Sequence, residues 1–195
     1  MRIFLTGATG FIGAAIVPEL IKAGHHVIGM TRSDAGEEAL INAGAEVHRG
    51  TLEDPESLRS GAAKADGVIH TAFDHDFSRF VENCEKDKRA IAALGAALAG
   101  SDRPLIITSG TGMGSGGQGQ LATEDVCNLS QPNPRIASEL AANVLLEAGW
   151  PGGSRAITGT GRAMETTTPA EHFDVLIVGA GLSGIGAGYH LQQKC

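Results

Sequence analysis

Apolar positions alternate between two rhythms over the first 149 residues. Short apolar runs cover residues 2–6, 26–30, 46–48, 67–71 and 105–108, most of them bounded by glycine or polar residues. Their length and bounds predict five buried strands. Between them the apolar spacing is three and four, which predicts helices with one inward face. Residues 11–23 carry Ile12, Ile16, Leu20 and Ile21 on about one face, with Pro18 expected to loosen one turn. A short helix over 37–43 is closed by Gly44. Asp54 and Pro55 open another, the acid as cap and the proline at the first helical position. A long helix spans 77–98, and a last one starts at Asn133–Pro134 and stops at Gly149. Residues 109–120 hold six glycines and read as a loop. Strands alternating with helices imply parallel pairing and right-handed crossovers. The expected fold is α/β, a doubly wound parallel sheet ordered 3-2-1-4-5, with its ligand beyond the carboxyl ends of strands one and four.

The pattern breaks at residue 150. Residues 150–163 are rich in Gly, Ser, Thr and Arg, without an acidic residue or a period, and 164–172 are polar. A linker over 150–172 is expected, loosely packed or disordered. Residues 173–179 then form a strongly apolar strand, followed by a glycine turn and a helix to Cys195. The organisation read from this is a domain over 1–149, the linker, and a partial second strand–turn–helix unit over 173–195. An unpaired fifth strand would be an exposed apolar edge, and residues 175–178 can reach the vacant sixth position.

Composition narrows the partners. The 28 glycines among 195 residues are about twice the usual ~7%, which points to tight turns or phosphate loops. A net charge of −7 gives no electrostatic reason to seek nucleic acid or an anionic membrane. The short basic run Lys86, Lys88, Arg89 reads as a solvated helix face. Cys84, Cys127 and Cys195 fit neither a disulfide framework nor a zinc site. With no signal peptide and no long apolar run, reduced thiols and a cytoplasmic location are expected.

The chemistry concentrates in Thr6-Gly7-Ala8-Thr9-Gly10-Phe11-Ile12-Gly13, directly after strand one and opening helix one. Gly7 permits the sharp turn, Gly10 lets backbone approach a pyrophosphate, and Gly13 lets helix pack on strand. The helix start offers bare N–H groups and partial positive charge. A glycine-rich turn without a ligand fits this position and spacing less well. Strand two ends in Met30-Thr31-Arg32-Ser33. A carboxylate there would favour NAD; Arg32 suits a 2′-phosphate instead, so NADP is the expected cofactor with NAD possible. The alternatives are that Arg32 points into water or that Asp34 holds the ribose.

The spacing Gly-x-x-Gly-x-x-Gly behind a threonine resembles the extended or atypical short-chain dehydrogenase/reductases, the NAD(P)-dependent epimerase/dehydratase group. Thr31-Arg32-Ser33, Val68-Ile69-His70-Thr71-Ala72-Phe73 and Ile106-Ile107-Thr108-Ser109-Gly110-Thr111 extend the resemblance over residues 1–149. It implies a Rossmann-type domain with Thr51 and Leu52 near the adenine, Thr51 standing where similar proteins place Asp. Ala72 and Phe73 match the segment on the ribose and nicotinamide side.

Reduction of a carbonyl needs an acid for the developing alkoxide. The resemblance implies Tyr-x-x-x-Lys for this and a hydroxyl after strand five, matched best by Thr111 and next by Ser109. The Tyr–Lys pair is missing: Arg135 and Glu139 occupy its places, and the one tyrosine is Tyr189. Arg135 cannot donate a proton at neutral pH. It can stabilise an oxyanion, but the four-residue spacing favours an exposed ion pair with Glu139. His75, beside Asp76, is a further acid–base candidate, set against Asp76 merely capping the long helix.

A second fingerprint, Val178-Gly179-Ala180-Gly181-Leu182-Ser183-Gly184, follows the late apolar strand. Residues 164–195 resemble the N-terminal start of a flavin-dependent monooxygenase of the Baeyer–Villiger type. One strand and one helix cannot enclose a flavin, so FAD binding by this chain alone is not expected. Two incomplete segments of this kind suggest a fused or truncated reading. The leading function is an NADP-binding oxidoreductase of reductase or epimerase ancestry, acting on a small carbonyl or sugar-like substrate, with doubtful catalysis. The alternatives are a non-catalytic dinucleotide sensor and a monooxygenase fragment.

Overall fold

Residue by residue, the apolar strands divide their side chains between two sides of one sheet. A computed structural model describes residues 1–110, 129–130, 132–148 and, as backbone, 175–179. The strands are β1 (Arg2–Thr6), β2 (His26–Thr31), β3 (Glu46–Arg49), β4 (Gly67–His70), β5 (Leu105–Ser109) and β6 (Val175–Gly179). All pair in parallel, in the order β3-β2-β1-β4-β5-β6. The first five take the expected order. β6 occupies the sixth position, with Leu105 opposite Val175 and Ser109 opposite Gly179.

The helices are α1 (Phe11–Lys22), α2 (Asp34–Asn42), α3 (Pro55–Ala63), α4 (Phe80–Leu98) and α5 (Ile136–Glu147). Phe4 and Ile28 join Leu58, Ile91, Leu94, Leu98, Leu105 and Ile107 in one core on the side of α3, α4 and α5. Their neighbours Leu5 and Val27 join Ala8, Val17 and Leu40 in a second core on the side of α1 and α2. Alternation along a strand buried on both faces produces this split between neighbouring residues, without a polar position between them.

Several boundaries differ for local reasons. α2 starts at Asp34, three residues earlier than its apolar pattern, because Ser33 Oγ accepts from Gly36 N at 3.1 Å and caps it. The long helix opens instead with a 3₁₀ turn, Phe77–Arg79, capped by Asp76, before α4 begins. α1 continues through Pro18 to Lys22. The linker 150–172, the tail after Gly179, and the loop from Thr111 to Gln120 lie outside the described residues. Among the described residues no helix is long and apolar enough to cross a membrane. Cys84 is buried, and burial pushes its thiol pKa up.

The packing of α3 on β1 is tight enough to test. A Cβ on Gly61 would lie 2.3 Å from the ring of Phe4, which is fully buried. Alanine is the better helix former by about 1 kcal/mol, but overpacking a rigid ring costs about 1–3 kcal/mol. Gly61→Ala is therefore expected to lower the urea midpoint without changing the slope of the transition.

Candidate functional site

The turn between β1 and α1 is closed by contacts that exclude side chains. Gly7 takes φ +70°, and a Cβ on it would meet Ala72 N at 2.7 Å. A Cβ on Gly13 would stand 2.1 Å from Gly7 O. Gly10 N donates to Gly7 O at 2.9 Å, completing the turn. α1 is thereby aimed at the sheet's carboxyl edge. Among the described helices it alone has neither a capping side chain nor an acidic residue in its first turn. Its first N–H groups and the positive end of its dipole are left for a ligand.

They open on a cleft of about 680 Å³. Gly7, Thr9, Gly10, Phe11, Ile12, Gly13, Arg32, Thr51, Leu52, Ala72 and Phe73 all line it, as does His75. Arg32 is exposed and makes no ion pair among the described residues. Asp34 does not line the cleft; its carboxylate lies 2.9 Å from Arg49, which also reaches Glu37 at 3.3 Å. Thr51 Oγ1 accepts from Glu53 N at 3.2 Å, and its hydroxyl bonds the Glu53 carboxylate, helping to hold that acid's pKa down.

The proposed chemistry side is less assembled. Thr111 lies outside the described residues. Ser109 is buried at the end of β5, away from the cleft lining, and its Oγ has no hydrogen-bond partner among the described residues. His75 is exposed at the rim, its ring edge-on to Phe73 and Phe77 at 5.3 and 6.0 Å. Asp76 is not its partner: the carboxylate accepts from Ser78 N at 3.1 Å, the capping role.

Two expectations are corrected. Lys86 is not on a solvated face. It is 7% exposed, and its Nζ lies 2.7 Å from both Glu53 Oε1 and Asp74 Oδ2. A lysine is buried only when paired, and these two carboxylates offset the solvation it loses. Lys88 and Arg89 stay half-buried and exposed. Nor do Arg135 and Glu139 form an exposed pair. Arg135 Nη1 reaches Asp87 Oδ2 at 2.5 Å and also bonds Ser138 Oγ. Its Nη2 donates to Thr108 O at 2.9 Å, and its guanidinium lies 4.2 Å from the centre of the Phe73 ring. Glu139 is itself buried.

Behind the cleft runs a buried polar chain that motif reading missed. Ala72 N donates to Thr6 Oγ1 at 3.4 Å, and Thr6 Oγ1 lies 2.6 Å from His70 Nδ1. His70 Nε2 lies 3.0 Å from Asp87 Oδ1. With a neutral imidazole these contacts fit one tautomer, in which the Thr6 hydroxyl donates to Nδ1 and Nε2–H donates to Asp87. Ser138 Oγ donates to Asp87 Oδ2 at 2.6 Å. Burial opposes the Asp87 charge, but the His70 hydrogen bond, the Arg135 charge and the Ser138 hydroxyl outweigh it and hold its carboxyl below the usual range. A signal did exist: Lys86 and Asp87 fall in phase with Asn83, Ala90, Ile91 and Leu94 on the buried stripe of α4.

Asp87 therefore carries a pH signature. Its folded pKa is depressed, so its contribution is present above the ordinary value of 3.8 and is lost as pH falls through the lower folded value. Asp87→Asn strands a nearly buried Arg135, at a cost of about 3–5 kcal/mol. Thermal melts should show a lower midpoint for Asp87→Asn at neutral pH and a flatter loss of stability below pH about 4 than in the unsubstituted protein.

The family model described as NAD(P)H-binding matches residues 7–148. An uncharacterized protein of Schizosaccharomyces pombe is 51% identical over 141 residues, 72% of this chain and 47% of that protein. The UDP-glucose 4-epimerase of Thermus thermophilus, solved in complex with NAD, superposes with a TM-score of 0.61 at 25% identity, covering 76% of this chain and 50% of that one. The chain thus spans about half the length of these relatives. A 25-residue stretch is 68% identical to an FAD-containing monooxygenase of Mycolicibacterium smegmatis, 13% of this chain and 5% of that protein, so the flavin-type resemblance is confined to a fragment. The model match over most of the chain agrees with the uncapped helix and the glycine turn: this protein belongs to the NAD(P)H-binding family and has the Rossmann-type fold of the epimerase and reductase group.

Proposed function

We propose that residues 1–149 bind NADP(H) in preference to NAD(H), as the nucleotide-binding part of a reductase- or epimerase-type oxidoreductase for a small carbonyl or sugar-like substrate. The observation that carries this is the bare N-terminus of α1 facing a dinucleotide-sized cleft across a turn with no room for side chains. In this reading the amides from Thr9 to Gly13 receive the pyrophosphate, as helix starts do for anions. Arg32, without an ion-pair partner among the described residues, takes the 2′-phosphate. Thr51 and Leu52 border the adenine, and Ala72 and Phe73 border the ribose and nicotinamide. A bound nicotinamide supplies or accepts hydride. The chain's part is to orient the carbonyl through Thr111, with Ser109 as second candidate, and to place His75 as a proton donor at the rim.

A second reading, a non-catalytic binding module, is favoured by Arg135. The side chain in the tyrosine's place directs its donors to Asp87, Ser138 and Thr108 O, and a guanidinium does not give up a proton.

NADPH fluorescence titration tests the binding. Gly10→Val should abolish saturable binding, since a branched side chain would block the approach to the turn. Arg32→Ala should weaken NADPH by about tenfold or more while leaving NADH within about twofold, the loss of one charge-assisted contact. Equal loss for both nucleotides would reject Arg32 as the 2′-phosphate partner. Turnover of a carbonyl that disappears in Thr111→Ala or His75→Ala would favour the enzyme over the binding module.

A further inference from the structure

Lys86 lies on α4, behind the cleft, and joins two loops that the sheet does not join. Glu53 follows β3 and Asp74 follows β4, and both line the cleft. Lys86 Nζ is 2.7 Å from a carboxylate oxygen of each. Asp74 Oδ1 also accepts from Asp76 N at 3.2 Å, which fixes the second carboxylate oxygen. Leu52 and Phe73, the residues just before the two acids, line the cleft as well. Hydrogen bonds to Lys86 lower the pKa of both acids, and the two acids raise that of Lys86, so all three stay charged through the neutral range.

We propose that Lys86 is a positioning residue for the nucleotide: its double ion pair sets the spacing between the β3 loop, which borders the adenine, and the β4 loop, which borders the ribose and nicotinamide, and so the width of the cleft between them. This rests on the nucleotide reading of the cleft. A nucleotide held by both loops needs each at van der Waals contact, and dispersion falls off steeply with a gap of even about 0.5–1 Å. β3 and β4 are separated in the sheet by β2 and β1, so backbone pairing does not set that distance at the loops. A buried cation shared by both loops does.

The assignment separates Lys86 from Arg32. Arg32 acts on the 2′-phosphate and distinguishes NADP from NAD. Lys86 acts on the placing of two loops that NADP and NAD meet alike. Methionine matches the length of lysine and fits a buried position. The carboxylates it would leave behind are 55% and 33% exposed at their side chains and remain solvated, so Lys86→Met should fold.

Two measurements on the full chain test this. Hydrogen exchange of the protein without nucleotide should show faster exchange in residues 50–53 and 72–75 of Lys86→Met, with the core strands unchanged. Titration should show NADPH and NADH weakened alike, by about tenfold, their ratio kept, and Lys86→Arg restoring both to within about threefold. Unchanged exchange in the two loops would overturn the clamp. So would unchanged affinity in Lys86→Met, or a loss confined to NADPH, or a loss matched by a general fall in melting temperature. If the unsubstituted protein binds neither nucleotide, the nucleotide reading fails, and the exchange experiment still decides whether Lys86 holds the loops.

Discussion

No side chain fits on the inner flanks of the turn that follows β1. Gly7 sits in the left-handed region against the backbone of Ala72, and Gly13 lies against Gly7 O. That close approach makes the first turn of α1 start directly at the carboxyl edge of the sheet, between the ends of β1 and β4. The other helices meet their entry polarity with their own residues: Ser33 and Asp54 cap α2 and α3, and acidic residues stand in the first turns of α4 and α5. α1 has none of these. An uncapped helix start costs the fold about 1 kcal/mol, a cost that recurs where a ligand completes the structure.

The polar interior follows from the same geometry. Thr6 ends β1 one residue before the turn, and its hydroxyl joins the Ala72 amide to His70. From there the chain passes through Asp87 to Arg135 and Ser138 on the approach to α5. The side chains of this chain are nearly or fully buried, and each is paired, as buried polar groups must be. The turn, the end of β4, the middle of α4 and the start of α5 are thus held in one register by hydrogen bonds rather than by apolar packing alone. Arg135 belongs to this framework, and its stacking on Phe73 carries that framework to the wall of the cleft.

Much of this was legible from residue order. β1 to β5, their sequence in the sheet and the glycine turn follow from runs and spacings that local physics reads directly, and the cleft-lining residues follow from where strands end. The misreadings share a cause. Lys86 in a run of basic residues looks solvated, and Arg135 four residues before Glu139 looks like a helix-surface pair. Both judgements weigh a side chain against its sequence neighbours. The true partners, Glu53, Asp74 and Asp87, lie 12 to 48 positions away, and only the closed sheet brings them near. Apolar rhythm alone misplaces the start of α2, because a capping serine outweighs three residues that carry no such rhythm. Asp87 could have been suspected, since a charge in phase with a buried stripe has to have a partner.

Lys86 and Asp87 are adjacent in sequence yet serve different sides of α4. A helix turns about 100° per residue, so neighbours on its inner face diverge. Lys86 is directed to the loops after β3 and β4, and Asp87 to His70 and the start of α5. Burying opposite charges side by side on one helix is costly unless each finds its own counter-charge. Here each does, and on separate elements. Neither pairing can be exchanged for the other without unpairing both, which makes α4 a poor place for drift in register. A one-residue slip would bring Asp87 toward Glu53 and Asp74 and leave Arg135 unmatched. The two ionic clusters therefore reinforce one placement of the helix, and the spacing of the cleft loops inherits it.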